Sequence, residues 1–161
     1  MSVISIDTAI EHLRAEDDDR AFVQGLLEAA EGAACDFMQR RIFADDSALA
    51  AGRAAAVAMR AQARAAYATA FASAQLIEDW EGQSSAMTDA DFDLKQAMAI
   101  ADAMARGLVL DSTVQAACLL IVGHLYTNRE DVVAGAGTKT AVTLPQGSRF
   151  LLAPYRVQMG V

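Results

Sequence analysis

Residues 48–80 read ALAAGRAAAVAMRAQARAAYATAFASAQLIEDW, 33 positions of which fifteen are alanine and none is proline. Alanine has the highest helix propensity, so the sum over this window predicts one long helix from about Ala48 to Trp80, with Gly52 as its single early weak point. Met59, Ala63, Tyr67, Ala70, Ala74 and Ile77 recur at helical spacing and form its expected apolar seam. Each alanine removes little area from water, so such a helix needs a partner to be stable. Arg53, Arg60 and Arg64 return to nearly the same azimuth. They form either a solvated face or an arginine stripe that meets an acidic neighbour.

The flanking sequence is helical as well. Towards the N-terminus, Ser5 is placed to cap a short helix, Ile6 to Leu13, whose Ile6, Ala9, Ile10 and Leu13 share one face. The acidic cluster Glu16 to Asp19 then breaks the pattern and favours a new helix start. From Arg20 to Gln39 the stripe Phe22, Leu26, Ala29, Ala30, Ala33 and Phe37 is expected to face the core, with Gln24, Glu28, Glu31 and Arg40 off it. Towards the C-terminus, Gly82 to Ser85 reads as a turn, and Thr88 or Asp89 as the cap of a helix reaching about Ala105. Gly107 and Asp111 separate it from Ser112 to about Asn128. The run Ala116 to Val122 there is apolar nearly all round and is expected at the centre of the core.

Beyond Val132 the character changes. Gly135, Gly137 and Gly147 with Pro145 and Pro154 end helical structure, and Thr140–Leu144 and Arg149–Leu152 read as short strands around a Pro145 to Ser148 turn. The expected fold is therefore mainly α: one bundle-like domain of four to five helices over residues 1–161, with a short C-terminal β-hairpin or extended arm. No internal repeat or Gly/Ser linker interrupts it.

Composition narrows the function classes. Hydrophobic residues make up 54% of 161, aromatics 6%, with 2 prolines and 10 glycines, which excludes a disordered, collagenous or disulfide-framed chain. A net charge of −8 argues against a protein that grips nucleic acid by neutralising phosphates, and only two of its 13 basic residues are lysine. Cys35 and Cys118 lie in apolar helical patterns and read as buried thiols of a reducing compartment. The N-terminus shows no cationic start followed by an apolar signal core, and no apolar run reaches membrane length, so a soluble cytosolic product without membrane association is expected.

Catalytic patterns are thin. The two histidines, His12 and His124, sit in no metal-binding spacing, and His124 follows Cys118 by six residues, a poor azimuth for a Cys/His pair within one helix. Gly135-Ala136-Gly137-Thr138-Lys139-Thr140 lacks the spacing and the strand-loop-helix context of a phosphate loop. Asp89, Asp91 and Asp93 resemble the opening of a calcium loop, but the glycine and glutamate it needs are replaced by Leu94 and Ile100. Neither a catalytic site nor a cofactor nor a metal is expected.

Two compact motifs stand out instead. Gly123-His124-Leu125-Tyr126-Thr127-Asn128-Arg129-Glu130 closes the apolar helix, and Leu144-Pro145-Gln146-Gly147-Ser148-Arg149-Phe150-Leu151-Leu152-Ala153-Pro154-Tyr155-Arg156-Val157 follows near the C-terminus. With His12-Leu13-Arg14 ending the first helix ahead of an acidic turn, the order of these features resembles the head-to-tail connector (adaptor, or head-completion) proteins of long-tailed bacteriophages and prophages. The likeness spans residues 4–42 and 110–157, and the alanine-rich segment, about 43–108, departs from it as an insertion.

That resemblance implies a structural virion protein rather than an enzyme. It implies a homo-oligomeric ring, commonly of twelve subunits, that is assembled in the host cytoplasm and resides at the head-to-tail junction. Such a ring docks on the portal and presents a surface to tail-side stopper or tail-terminator proteins, while double-stranded DNA passes through without specific binding. Tyr126, Asn128 and Arg129 are then candidate subunit contacts, with helix C-capping as the plainer alternative. Leu144, Pro145, Phe150, Leu151, Leu152, Pro154, Tyr155 and Arg156 are candidate contacts of an arm packed on another subunit or partner. The acidic balance suits a DNA conduit, and a small-residue helix suits repeated close packing. The rival reading is a small helical regulatory or chaperone-like binding module encoded among phage genes, which would be missing from finished particles.

Overall fold

The computed structural model describes residues 2–128 and 145–157. Its chain folds into two compact units, Met1–Asp45 with Val109–Val161, and Asp46–Leu108. Among the described residues the fold is mainly helical, with six α-helices and one pair of two-residue strands.

The first unit contains α1 (Ile6–Leu13), a 3-10 turn at Asp17–Asp19, α2 (Arg20–Met38) and strand β1 (Ile42–Phe43). Ser5 caps α1 by accepting a hydrogen bond from the Asp7 N–H. α1 and α2 both end on non-glycine residues in the left-handed region, Arg14 at φ 53° and Gln39 at φ 57°, whose N–H groups return to carbonyls of the last turn. The core face of α2 is Val23, Leu27, Ala30, Ala34, Cys35 and Met38. Ala30 is buried as expected, but the rest of the expected stripe, Phe22, Leu26, Ala29, Ala33 and Phe37, lies one residue before the buried face.

Alanines on two adjacent faces of α2 make both faces apolar, and the two phenylalanines made the wrong one look heavier. Phe22 is 41% exposed and lies against Tyr126, ring centroids 6.1 Å apart. Glu31, expected to point away, is buried at 8% exposure. Its carboxylate accepts the Ser2 hydroxyl at 2.6 Å and the N–H groups of Val3 at 3.0 Å and Ile4 at 2.8 Å. A buried charge is tolerated where donors converge on it, and these tie down the N-terminal segment.

Between β1 and β2 (Leu108–Val109) the chain runs through the second unit. It consists of α3 (Asp46–Ala74) and α4 (Trp80–Ala105), an antiparallel helical hairpin. The expected single helix to Trp80 instead stops at Ala74, and the turn precedes the expected Gly82–Ser85. Asp79 supplies the physical reason: its carboxylate accepts the Gly82 N–H at 2.7 Å and caps α4, with Glu81 favourably placed in the first turn. A Cβ at Gly82 would lie 3.1 Å from that carboxylate, so the glycine fits the cap closely. Thr88 is inside α4, its hydroxyl donating to the Ser84 carbonyl.

The seam of the hairpin is built from Gly52, Ala56, Ala63 and Ala74 on α3 and Ala90 and Ala101 on α4. Side chains this small bring the axes to the short end of the usual spacing, about 8 Å. Ala70 and Ile77, expected in the seam, are exposed. Arg60 bonds Asp102 across the hairpin through Nη2 at 2.6 Å and Nε at 3.1 Å, so one member of the arginine stripe does meet an acidic neighbour.

β1 and β2 pair in parallel, and the Leu110 N–H donates to the Phe43 carbonyl at 2.8 Å just beyond them. Parallel neighbours need a long crossover, which the helical hairpin provides. The strand element of the fold is therefore here. The chain returns to the first unit in α5 (Ser112–Thr127), capped by Asp111, whose carboxylate accepts the Val114 N–H at 2.8 Å. α5 packs against α1, α2 and α6 (Gln146–Leu152) and buries Val114, Ala117, Cys118, Leu119, Ile121 and Val122, so the central position expected of it holds.

The α6 segment corrects the expected second strand at Arg149–Leu152. Four residues are too few to establish a period of two. Pro145 leads into the turn, its carbonyl accepting the Ser148 hydroxyl at 2.8 Å and the Arg149 N–H at 3.1 Å. Ser148 and Leu152, four residues apart, are then both fully buried. A 3-10 turn, Ala153–Tyr155, follows. The strand expected at Thr140–Leu144 lies outside the described residues.

Candidate functional site

The sequence motifs converge on α5, α6 and the turn after it. Along α6 the apolar residues divide by azimuth: Leu152 is fully buried, Leu151 half-buried and Phe150 80% exposed. Gly147 faces Leu120 of α5, since a Cβ there would lie 3.6 Å from the Leu120 side chain, and Leu120 is itself 42% exposed. Phe150 follows Gly147 by one helical turn and so falls on the same side of α6. The exposed Phe150 and the partly exposed Leu120 are the apolar residues of this surface.

Its basic part surrounds Phe37 of α2. The guanidinium of Arg156 lies 5.3 Å from the Phe37 ring centroid and that of Arg149 at 5.9 Å, cation–π distances that hold both cations on one aromatic platform. Phe37 was expected in the core, and it serves here as a half-buried support. Pro154 is exposed in the 3-10 turn, and the Val157 N–H donates to the Met38 carbonyl at 3.0 Å, so the segment lies down along the end of α2.

Tyr155 closes the arrangement. Its hydroxyl donates to the Asp111 carboxylate at 2.5 Å, joining the tail to the cap of α5. Burial alone would raise the Asp111 carboxyl. Hydrogen bonds from Tyr155 and from the Val114 and Thr113 N–H groups outweigh that and hold it below the usual carboxylate value. The same bond to Asp111 pushes the Tyr155 phenol above its ordinary value.

The segment expected as a β-hairpin or extended arm is instead helical and folds back on its own chain. Leu152, Tyr155 and Val157 engage the chain's own α2 and α5, and Phe150 is the large apolar residue left outward. Tyr126 is also engaged internally, its hydroxyl donating to Asp19 at 2.7 Å across the acidic turn. Asn128 is the C-cap of α5, its amide donating to the His124 carbonyl at 2.8 Å, so the capping alternative accounts for it. Arg129 and Leu144 lie outside the described residues.

The two thiols sit in the core of this unit. Burial pushes the Cys118 thiol up to about 12, with the Glu31 carboxylate adding to the effect, and burial likewise raises Cys35. Thiols held this far from ionisation are poor nucleophiles. Among the described residues no group of three or more His, Cys, Asp or Glu is placed to hold a metal ion, and no helix is long and apolar enough to cross a membrane. Compared with known proteins, the chain matches no family model, no curated protein and no solved structure.

Proposed function

We propose that the protein is a structural component of a phage head-to-tail junction, a connector that assembles as a ring, docks on the portal and links it to tail-side proteins. The observation that carries this reading is the ordered set of motifs: His12-Leu13-Arg14 before an acidic turn, Tyr126-Thr127-Asn128-Arg129-Glu130 closing the apolar helix, and Leu144-Pro145-Gln146-Gly147 leading to Leu151-Leu152-Ala153-Pro154-Tyr155-Arg156. Their described parts belong to one compact unit, in which the tail covers α2 and α5 and leaves Phe150, Arg149 and Arg156 outward. Exposed apolar and cationic side chains carried by one segment suit a partner surface. The net charge of −8 suits a channel that lets DNA pass without holding it.

Disrupting the gene in an inducible prophage tests the reading. The expected result is DNA-filled heads without attached tails, restored to tailed infectious particles by the gene supplied in trans. Normal tailed particles from the disrupted strain would remove the proposal. A second reading, a binding module that holds a partner protein, draws support from the turn of the helical hairpin, where Leu76 is 83% and Trp80 76% exposed. It predicts a protein present in the infected cell and absent from purified particles.

A further inference from the structure

The helical hairpin has two different long faces, and their difference has a simple sequence origin. On α3, Arg53 follows the buried Gly52 by one residue, Val57 follows Ala56, and Arg64 follows Ala63, which turns all three to one side of the seam by about 100°. On α4, Asp102 follows the buried Ala101 by one residue, and its bond to Arg60 shows that the following positions of both helices share this side. Asp89 precedes the buried Ala90 by one residue and so projects from the opposite side. Asp93, four residues on, joins it, as does Ile100, which precedes Ala101.

One face therefore carries Arg53, Arg60, Arg64 and Val57 of α3 with Asp91, Lys95 and Asp102 of α4, a net positive balance, and the other carries Asp89, Asp93 and Ile100 beside the small residues Ala51 and Ala55. Arg64, Asp89 and Asp93 are exposed, Val57 is 65% and Ile100 42% exposed. The Arg60–Asp102 bond fixes the relative heights. Counting along each helix from that bond, Arg64 and Asp93 differ by about 7 Å along the hairpin, within reach of an extended arginine side chain.

We propose that the hairpin is a contact between copies of this chain, the arginine face of one copy packing on the aspartate face of the next, with Arg64 of one copy directed at Asp93 of its neighbour. The occupant is a second copy because the complementary faces are carried by the same hairpin on opposite sides. That is a heterologous, head-to-tail arrangement, which propagates around a ring instead of stopping at a dimer. The inference rests on the ring reading above and assigns one of its contacts to the segment outside the connector likeness.

A cysteine pair that spares every charge tests it. Ala68 and Gln96 are exposed, lie on opposite faces, and fall at nearly the same height on the hairpin, so Ala68→Cys with Gln96→Cys in one chain places a thiol on each face. Under a short bis-maleimide cross-linker the full-length chain is expected to give a ladder of dimers, trimers and longer species. Arg64→Glu in this background should weaken the ladder roughly fivefold, and Arg64→Glu with Asp93→Arg should restore it. Helical circular dichroism confirms that each surface variant is folded. Products ending at the dimer, or a ladder indifferent to both charge changes, overturn the proposal. Particles containing the wild-type chain alongside such a failure would leave the ring reading standing and remove only the hairpin contact.

Discussion

Leu152 and Phe150 stand two residues apart in one apolar run, and the structure assigns them opposite tasks. Leu152 is fully buried in the unit built on α2 and α5, so Leu152→Ala removes core contacts and leaves a cavity. For a fully buried leucine the cost is about 3 kcal/mol, from lost transfer energy and imperfect collapse around the cavity. The segment is short, so part of that cost is expected to appear as local release of residues 145–157 before the whole unit unfolds. Phe150 is 80% exposed, and Phe150→Ala should change stability by less than about 0.5 kcal/mol. Urea unfolding followed by circular dichroism gives both differences, and limited proteolysis beside Arg149 and Arg156 reports release of the segment. A Leu152→Ala protein within about 0.5 kcal/mol of wild type, with an unchanged cleavage rate, would refute the packing of this segment.

Three further outcomes follow from the same unit. Glu31→Gln keeps the shape but loses the charge that gathers Ser2, Val3 and Ile4, and should cost about 1–2 kcal/mol and speed hydrogen exchange at the Ile4 amide; unchanged exchange there would contradict the tether. Tyr155→Phe should cost about 1 kcal/mol near neutral pH by removing the bond to Asp111. Because the Asp111 carboxyl is lowered in the fold, its contribution is present above about pH 4 and is lost as pH falls through its folded value; because the Tyr155 phenol is raised, its contribution is present below about pH 10 and is lost as pH rises through its folded value. The difference between wild type and variant is therefore expected to be largest between those limits, and a difference that is flat from pH 3 to 11 would contradict the pairing. Finally, neither thiol should react with a disulfide reagent at pH 8 until denaturant is added, whereas both should then react; rapid labelling of the folded protein would contradict the burial of Cys35 and Cys118.

The helices were legible in the sequence because propensity and caps act locally. Ser5 and the apolar spacing of Ile6 to about Leu13 located α1, and the unbroken apolar run placed α5 at the centre. What was not legible depends on choices between equivalent local options. In α2 the alanines leave two faces equally able to be buried, and packing on α1 and α5 selects the one through Val23 and Leu27. The break after Ala74 follows from Asp79 acting as a cap, a signal present in the sequence but outweighed by the better-known turn residues Gly82 to Ser85.

The same holds for the candidate site. The motif residues were found, but their roles required distances: Tyr155 and Tyr126 each find a carboxylate far away in the sequence, Asp111 and Asp19. Leu152 turns inward and Phe150 outward because residues 146–152 are helical, which an Arg-Phe-Leu-Leu run does not disclose by itself. The sequence pattern puts Glu31 on the outer face because a glutamate in an amphipathic helix ordinarily faces water, and the donors that bury it, Ser2, Val3 and Ile4, lie in a distant segment.

Quantitative mass spectrometry of purified particles, with the portal protein as the internal standard, tests the connector reading most directly. The account predicts the chain in finished particles at a fixed ratio to the portal, as a ring of about a dozen copies requires. Its absence from particles that are filled, tailed and infectious would contradict the account.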